Sequence, residues 1–429
     1  MATDDRVGAQ AIDTVVVGAG QAGLAVSYYL TAGKVPHVVL EQDSVGSTWR
    51  HKRWDSFCLV TPNWMNQLPG FPYRGDEPDG FLPRAEVVKY LEDYARSFGA
   101  PVSSGRRVSA VRPDGAGSGY RVETTAGNYA ADNIVIATGS FTRERIPEFA
   151  QRIPASILQM VSADYRNPGA LPPGAVLVVG SGQTGCQIAE EVQESGRPVY
   201  LCVGAAGRQP RRYRGKDICW WVAQAGVYGR TFENPANPVE RYRANPMCSG
   251  KNGGHALNLE RFAEDGMTLL GHAEGIRGSV LLLAPGVRES VAKADQFSKG
   301  LMKLVDGYIQ AKGIAAPPAS ADNTDDGAPR RSVAIEEIRE LDLAARGIGS
   351  IVWATGYTPD FRWIELPVFD ERGYPVQTRG VSGSPGLYFC GLHWLHCLKS
   401  GLMFGVGEDA RHVVEHLASR RAARGTPRS

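Results

Sequence analysis

Several signals are missing from this sequence, and each absence removes a class of function. No apolar run approaches the ~20 residues needed to span a bilayer. The N-terminus, Met1-Ala2-Thr3-Asp4-Asp5-Arg6, lacks the basic start and apolar stretch of a secretory signal. Charge of one sign is absent too: 47 Lys and Arg against 45 Asp and Glu leave a net charge of +2. No global field therefore points to nucleic acid or to an anionic membrane as partner. The seven cysteines (Cys58, Cys186, Cys202, Cys219, Cys248, Cys390 and Cys397) form no Cys-x-x-Cys pair. Their odd number and scattered spacing argue against a disulfide scaffold or a zinc ribbon, and fit free thiols in a reducing cytosol. The one biased stretch, residues 419–429, reads as a frayed basic tail.

What is present is glycine, 51 residues in a chain of 429, and two domains are expected at this length. Ile12-Asp13-Thr14-Val15-Val16-Val17 is an apolar, β-branched run of the kind that forms a buried parallel strand. It leads into Gly18-Ala19-Gly20-Gln21-Ala22-Gly23, then a helix over 24–30 stopped near Gly33. A second strand follows, ending in Glu41-Gln42. Gly18 allows the tight turn, Gly20 lets the backbone approach a pyrophosphate, and Gly23 lets helix and strand pack closely. The helix N-terminus offers unpaired N–H groups to phosphate, and Glu41 is placed to accept from a ribose. This is a complete dinucleotide-binding βαβ unit.

The pattern recurs. Ala175-Val176-Leu177-Val178-Val179 leads into Gly180-Ser181-Gly182-Gln183-Thr184-Gly185, a helix to about Glu194, and a strand over 198–203. This second strand ends without an acid and enters a loop rich in arginine. Loss of the acid removes repulsion of a 2′-phosphate, so the site is expected to take NADPH, with Arg208 first and Arg212 second as phosphate partners. Two further strands end alike, in Ala137-Thr138-Gly139 and in Ala354-Thr355-Gly356, where a small residue lets the chain leave a nucleotide-filled crevice. They suggest that the chain leaves the first domain near 139 and returns near 356. The expected fold is α/β, with two Rossmann-like, doubly wound domains. The FAD-binding domain comprises 1–150 and 350–429, and an NADPH-binding domain of 151–349 is inserted in it. Near the end, Ser400-Gly401-Leu402 is expected to open a helix running to about Ala418, its N-terminus aimed at the flavin ring. Residues 215–300 show no clean period, and 315–332 read as an exposed loop.

The order of these loops, with Gly46-Ser47-Thr48-Trp49-Arg50 and both Ala-Thr-Gly endings, resembles the class B flavoprotein monooxygenases. It is most similar to their bacterial CzcO-type members, over nearly the whole chain. Residues 53–64 and 393–409 are the most specific parts. The resemblance implies FAD and NADPH as cofactors, with Trp49 and Arg50 among the FAD-contacting residues, and a small organic substrate with O2. It implies that oxygen adds at flavin C4a and that one oxygen atom passes to nitrogen, sulfur or a ketone. It also implies an asparagine that hydrogen-bonds the oxygen adduct, for which Asn63 and then Asn66 are the candidates. A homodimer is common in such proteins. One departure stands out. The family fingerprint Phe-x-Gly-x-x-x-His-x-x-x-Tyr is reduced to Tyr165, with Ala155, Ile157 and Val161 in the other three positions. The resemblance ties the missing histidine to domain coupling, so some peroxide leakage is expected.

Three other readings share these loops. A flavin disulfide reductase needs a redox-active cysteine pair, and the nearest candidates, Cys390 and Cys397, are poorly spaced. An NADPH oxidase or dehydrogenase would reduce flavin without inserting oxygen. A nucleotide-sensing or ion-transport partner would not reduce it at all. His393 and His396, and separately His255, are further candidates for cofactor- or substrate-facing positions, with no metal expected.

Overall fold

The computed structural model describes residues 8–115, 119–231 and 245–425. The first seven residues and the last four of the basic tail thus lie outside the described residues. Two parallel-centred sheets organise the chain. In the first, Leu387–Phe389, Asn128–Ile136, Ala9–Val17, His37–Leu40 and Val102–Ser103 lie side by side in that order, all parallel. In the second, the order is Leu158–Val161, Ile348–Trp353, Ala175–Val179, Val199–Cys202 and Thr268–Leu270, again all parallel. Ala175–Val179 is buried throughout, and Ala9–Val17 is buried over its last four residues, Thr14–Val17, where it runs into the glycine loop. The fold is therefore α/β with two doubly wound nucleotide-binding sheets, as expected.

The two sheets repeat one arrangement. Each glycine-loop strand lies between the strand that follows its helix and the strand that ends in Ala-Thr-Gly. Ile348–Trp353 thus belongs to the second sheet, and a boundary drawn at residue 350 cuts through this strand. The chain recrosses only after Trp353. The two crossings run together, Arg143–Glu144 pairing antiparallel with Tyr357–Thr358.

Helix Gln21–Ala32 packs between the first sheet and the C-terminal helix Val406–Gly425, which begins six residues later than Ser400. Helix Gln183–Glu194 takes the corresponding place in the second fold. The region without a clear sequence period holds a short helix, Ile218–Gln224, and a 26-residue helix, Val287–Lys312. The long helix buries Val287, Val291, Ala294, Ser298, Val305 and Ile309, one stripe at helical spacing. Gly313 in left-handed conformation ends it.

Candidate active site

The two glycine loops are built alike, and the glycines explain why. Gly18 turns with φ +103°, and a Cβ there would stand 2.8 Å from the Ala137 carbonyl oxygen. Gly180 turns with φ +110°, and its Cβ would stand 2.4 Å from the Ala354 carbonyl oxygen. The two Ala-Thr-Gly endings are therefore equivalent walls, one beside each loop. Helix and strand then touch through the third glycine. A Cβ on Gly23 would meet the Gly18 carbonyl at 1.8 Å, and one on Gly185 would meet the Gly180 carbonyl at 1.8 Å. Gly20, by contrast, faces open space, with nothing within 4 Å of a Cβ placed on it. That space lies at the N-terminus of helix Gln21–Ala32, where backbone N–H groups suit a pyrophosphate.

The strand ends are tied to the loops by opposite devices. Glu41, buried, accepts from the Ala19 amide at 2.8 Å and from Ser47 Oγ at 3.2 Å. In the second fold no acid is available, and Ser181 Oγ accepts instead from the Gly204 amide at 2.9 Å. Gln42 is exposed beside Glu41, while Gln183 and Thr184 open the second helix, half-buried.

Between the loops runs the segment 47–57. Trp49 Nε1 donates to Gln21 Oε1 at 3.3 Å, on the first residue of one glycine helix. Ser56 Oγ donates to Glu191 Oε1 at 2.7 Å, on the other glycine helix. Glu191 also accepts from the hydroxyl of Tyr165, fully buried, at 3.0 Å. The surviving tyrosine of the reduced fingerprint is thus part of the link between the two folds.

Several polar atoms here are buried and unpartnered among the described residues. Asn63 donates through Nδ2 to the Glu77 carbonyl at 2.9 Å, leaving only Oδ1 without a partner. Asn66 has no partner for either Nδ2 or Oδ1. Its backbone is fixed meanwhile, because the carbonyl accepts from Tyr73 N at 2.7 Å and from Tyr90 Oη at 3.1 Å. Thr138 Oγ1 and Trp64 Nε1 are unpartnered as well. Leaving such a group dry costs about 1–3 kcal/mol. These atoms, with the open face of Gly20, fit a polar ring system and a phosphate chain lying along the first loop. Trp64 packs edge-on against Phe404 at 5.6 Å, which brings the asparagine segment against the turns before the C-terminal helix.

A family model described as pyridine nucleotide-disulphide oxidoreductase matches residues 15–222, which contain both glycine loops. An uncharacterized CzcO-like oxidoreductase of Geobacillus kaustophilus is 32% identical over 95% of this chain and 98% of its own length. The chain belongs to the CzcO-like oxidoreductases. A relative in Arabidopsis thaliana, described as a probable indole-3-pyruvate monooxygenase, is 25% identical over 95% of this chain and 86% of its own. A variant of the flavin monooxygenase from Stenotrophomonas maltophilia shares the fold of this CzcO-like oxidoreductase. Its TM-score is 0.64 at 20% identity, over 96% of this chain and 99% of that one.

Some residues of this CzcO-like oxidoreductase stand elsewhere than its sequence suggests. Arg208 is buried and turned inward: it is ion-paired with Asp295, donates to the Asp326 carbonyl at 2.7 Å, and reaches Ser298 Oγ at 3.4 Å. Its charge is already neutralised, so it is not the free cation a 2′-phosphate needs. Arg212 donates to the carbonyls of Gly253 and Gly254 at 2.7 and 3.0 Å. Arg50 lies at the surface, 2.5 Å from Glu92, while Arg53, two residues past the end of the short helix Ser47–His51, is half-buried against the Trp49 ring. Ser400, Gly401 and Leu402 form turns, not helix. Ser400 Oγ accepts from the amides of His396 and Cys397, and the Gly401 carbonyl accepts from Gln21 Nε2 at 3.4 Å. Thr355 Oγ1 donates to the Arg145 carbonyl, and Gly139 and Gly356 both turn with positive φ. Burial pushes the His393 imidazole down to about 4, so it is neutral near pH 7. His255 lies in the second fold, 2.7 Å from Glu190.

Proposed function

We propose that this oxidoreductase is an NADPH-dependent FAD monooxygenase that transfers one oxygen atom of O2 to a small organic substrate, at nitrogen, sulfur or a ketone. The observation that carries this reading is the unpartnered, buried side-chain amide of Asn66, on the stretch of chain that follows the segment joined to both glycine folds. FAD would be held by the Gly18–Gly23 loop and Glu41, and NADPH by the Gly180–Gly185 loop. A bound FAD would supply a hydride acceptor for the nicotinamide and a route for electrons to oxygen. The protein's own part is to orient the two cofactors, exclude water and supply hydrogen bonds. Asn66 is suited to the last task. Its backbone is held by Tyr73 and Tyr90, and its amide keeps both a donor and an acceptor unused. Asn63 has its donor already engaged.

The thiols weigh against a disulfide reductase. All seven cysteines are free, and six are buried. Burial pushes the thiols of Cys186, Cys202, Cys219, Cys248 and Cys390 up, away from the thiolate form an exchange reaction needs.

Stopped-flow absorbance tests the reading. The protein is reduced with NADPH and mixed with oxygen in the absence of substrate. A long-lived species distinct from both reduced and oxidised flavin supports the monooxygenase, and Asn66→Ala is expected to shorten its life. Immediate return to oxidised flavin with stoichiometric hydrogen peroxide, in every substrate screened, favours the oxidase.

A further inference from the structure

Arg53 stands out among the arginines around the crevice. Arg50 is paired with Glu92, Arg84 with Asp55, Arg208 with Asp295 and Arg211 with Asp217. Arg53 makes no ion pair among the described residues. Its one hydrogen bond goes to the carbonyl of its neighbour Lys52, at 2.7 Å.

Its position is specific. The guanidinium lies 5.2 Å from the Trp49 ring centroid and 5.6 Å from that of Phe57. Trp49 in turn bonds Gln21 at the first glycine loop, and Ser56, beside Phe57, bonds Glu191 on the second glycine helix. Arg53 therefore sits on the segment that joins the first glycine loop to the second glycine helix. Two aromatic rings hold the cation in place, Nη1 donates to the Lys52 carbonyl, and Nε and Nη2 keep their N–H groups for the planar recognition of an oxyanion.

We propose that Arg53 is an oxyanion-binding residue between the two dinucleotide sites, taking either a phosphate of NADPH or a carboxylate of the substrate. This rests on the function proposed above and deepens it. Burial of part of the side chain lowers the Arg53 pKa, and no acid offsets it. An arriving anion would supply a counter-charge at a half-buried position, where screening is weaker than on the open surface.

The test uses the flavin-loaded protein and the variants Arg53→Gln and Arg53→Lys. Equilibrium binding is measured by calorimetry with NADP+, and with phenylacetate against its neutral counterpart phenylacetamide. Arg53→Gln is expected to weaken one of the two anions about tenfold or more, and Arg53→Lys to retain part of the affinity. Loss on NADP+ assigns the site to a cofactor phosphate. Loss on phenylacetate but not on phenylacetamide assigns it to a substrate carboxylate. Unchanged NADP+ affinity, with no arginine-dependent binding of phenylacetate, overturns the proposal. Retained flavin and an unchanged melting temperature show that the variants are folded. The wild-type controls separate the two levels. If the wild-type flavin is not reduced by NADPH, the function proposed above fails, whereas losses confined to the Arg53 variants concern this site alone.

Discussion

Arg211 donates through Nη1 to the carbonyl oxygen of Val60 at 2.8 Å, three residues before Asn63. The arginine belongs to the segment after the second glycine fold, and the carbonyl to the segment that carries both asparagines. The side chain is fully buried, lies 2.6 Å from Asp217, and stacks over Phe81 at 4.6 Å. Its surroundings are tightly packed, since a Cβ on Gly250 would meet the Leu59 carbonyl at 1.8 Å. A single cation thus fixes the asparagine segment against the second fold.

Arg211→Met is expected to destabilise the protein by about 3–5 kcal/mol, because Asp217 would be left buried without its counter-charge. The double variant Arg211→Met/Asp217→Asn should recover much of that loss in a thermal melt. It should not recover coupling: peroxide released per NADPH consumed should stay above wild type, because Val60 is still unanchored.

The first glycine loop separates ligand contact from packing. Gly20→Val should give a folded protein that purifies without flavin, since the side chain enters only the space meant for phosphate. Gly23→Ala should instead compromise folding itself, since its Cβ would collide with the Gly18 carbonyl. Flavin content per protein, read beside the circular dichroism melt, distinguishes the two. A fully loaded Gly20→Val protein would remove the cofactor from this loop.

Arg208→Ala is expected to act on stability and not on coenzyme choice. Removing one partner of the buried pair with Asp295 should cost about 3 kcal/mol. The ratio of NADPH to NADH efficiency should be unchanged among the molecules that remain folded. A selective rise in the NADPH Michaelis constant would return the 2′-phosphate contact to this residue.

His255 gives a pH-dependent prediction. Burial alone would lower its pKa, but the hydrogen bond and charge of Glu190 outweigh burial and raise it. A raised folded-state value means that the charged pair stabilises the fold fully below the unfolded pKa of ~6.5, and is lost as pH rises through the folded value. The stability gap between wild type and His255→Gln should therefore be wider at about pH 6 than at about pH 9. Denaturant midpoints at the two pH values measure it.

Local sequence carried much of the fold. The strands before each glycine loop are short, apolar and β-branched, and the spacing of Gly18, Gly20 and Gly23 allows few other geometries. The long helix Val287–Lys312 escaped that reading although its stripe of buried residues is periodic, because serine, alanine and glycine dilute the apolar signal. The start of the C-terminal helix was misplaced for another reason. Ser400 has the residue type of a helix cap, but its hydroxyl accepts from the amides of His396 and Cys397 behind it.

By itself, the sequence determined two dinucleotide folds and the glycines at their turns, because each strand–loop–helix unit is contiguous and its third glycine packs on its first, five residues away. Only the tertiary structure decided which polar side chains remain available to a ligand. Arg50 and Arg53 are chemically identical and three residues apart, yet one meets Glu92, 42 positions downstream, and the other meets aromatic rings and no acid. Arg208 meets Asp295 across 87 positions, and the side-chain amide of Asn66 meets no partner among the described residues. Whether a charge or an amide is satisfied depends on partners brought close by packing, and linear spacing carries no record of them.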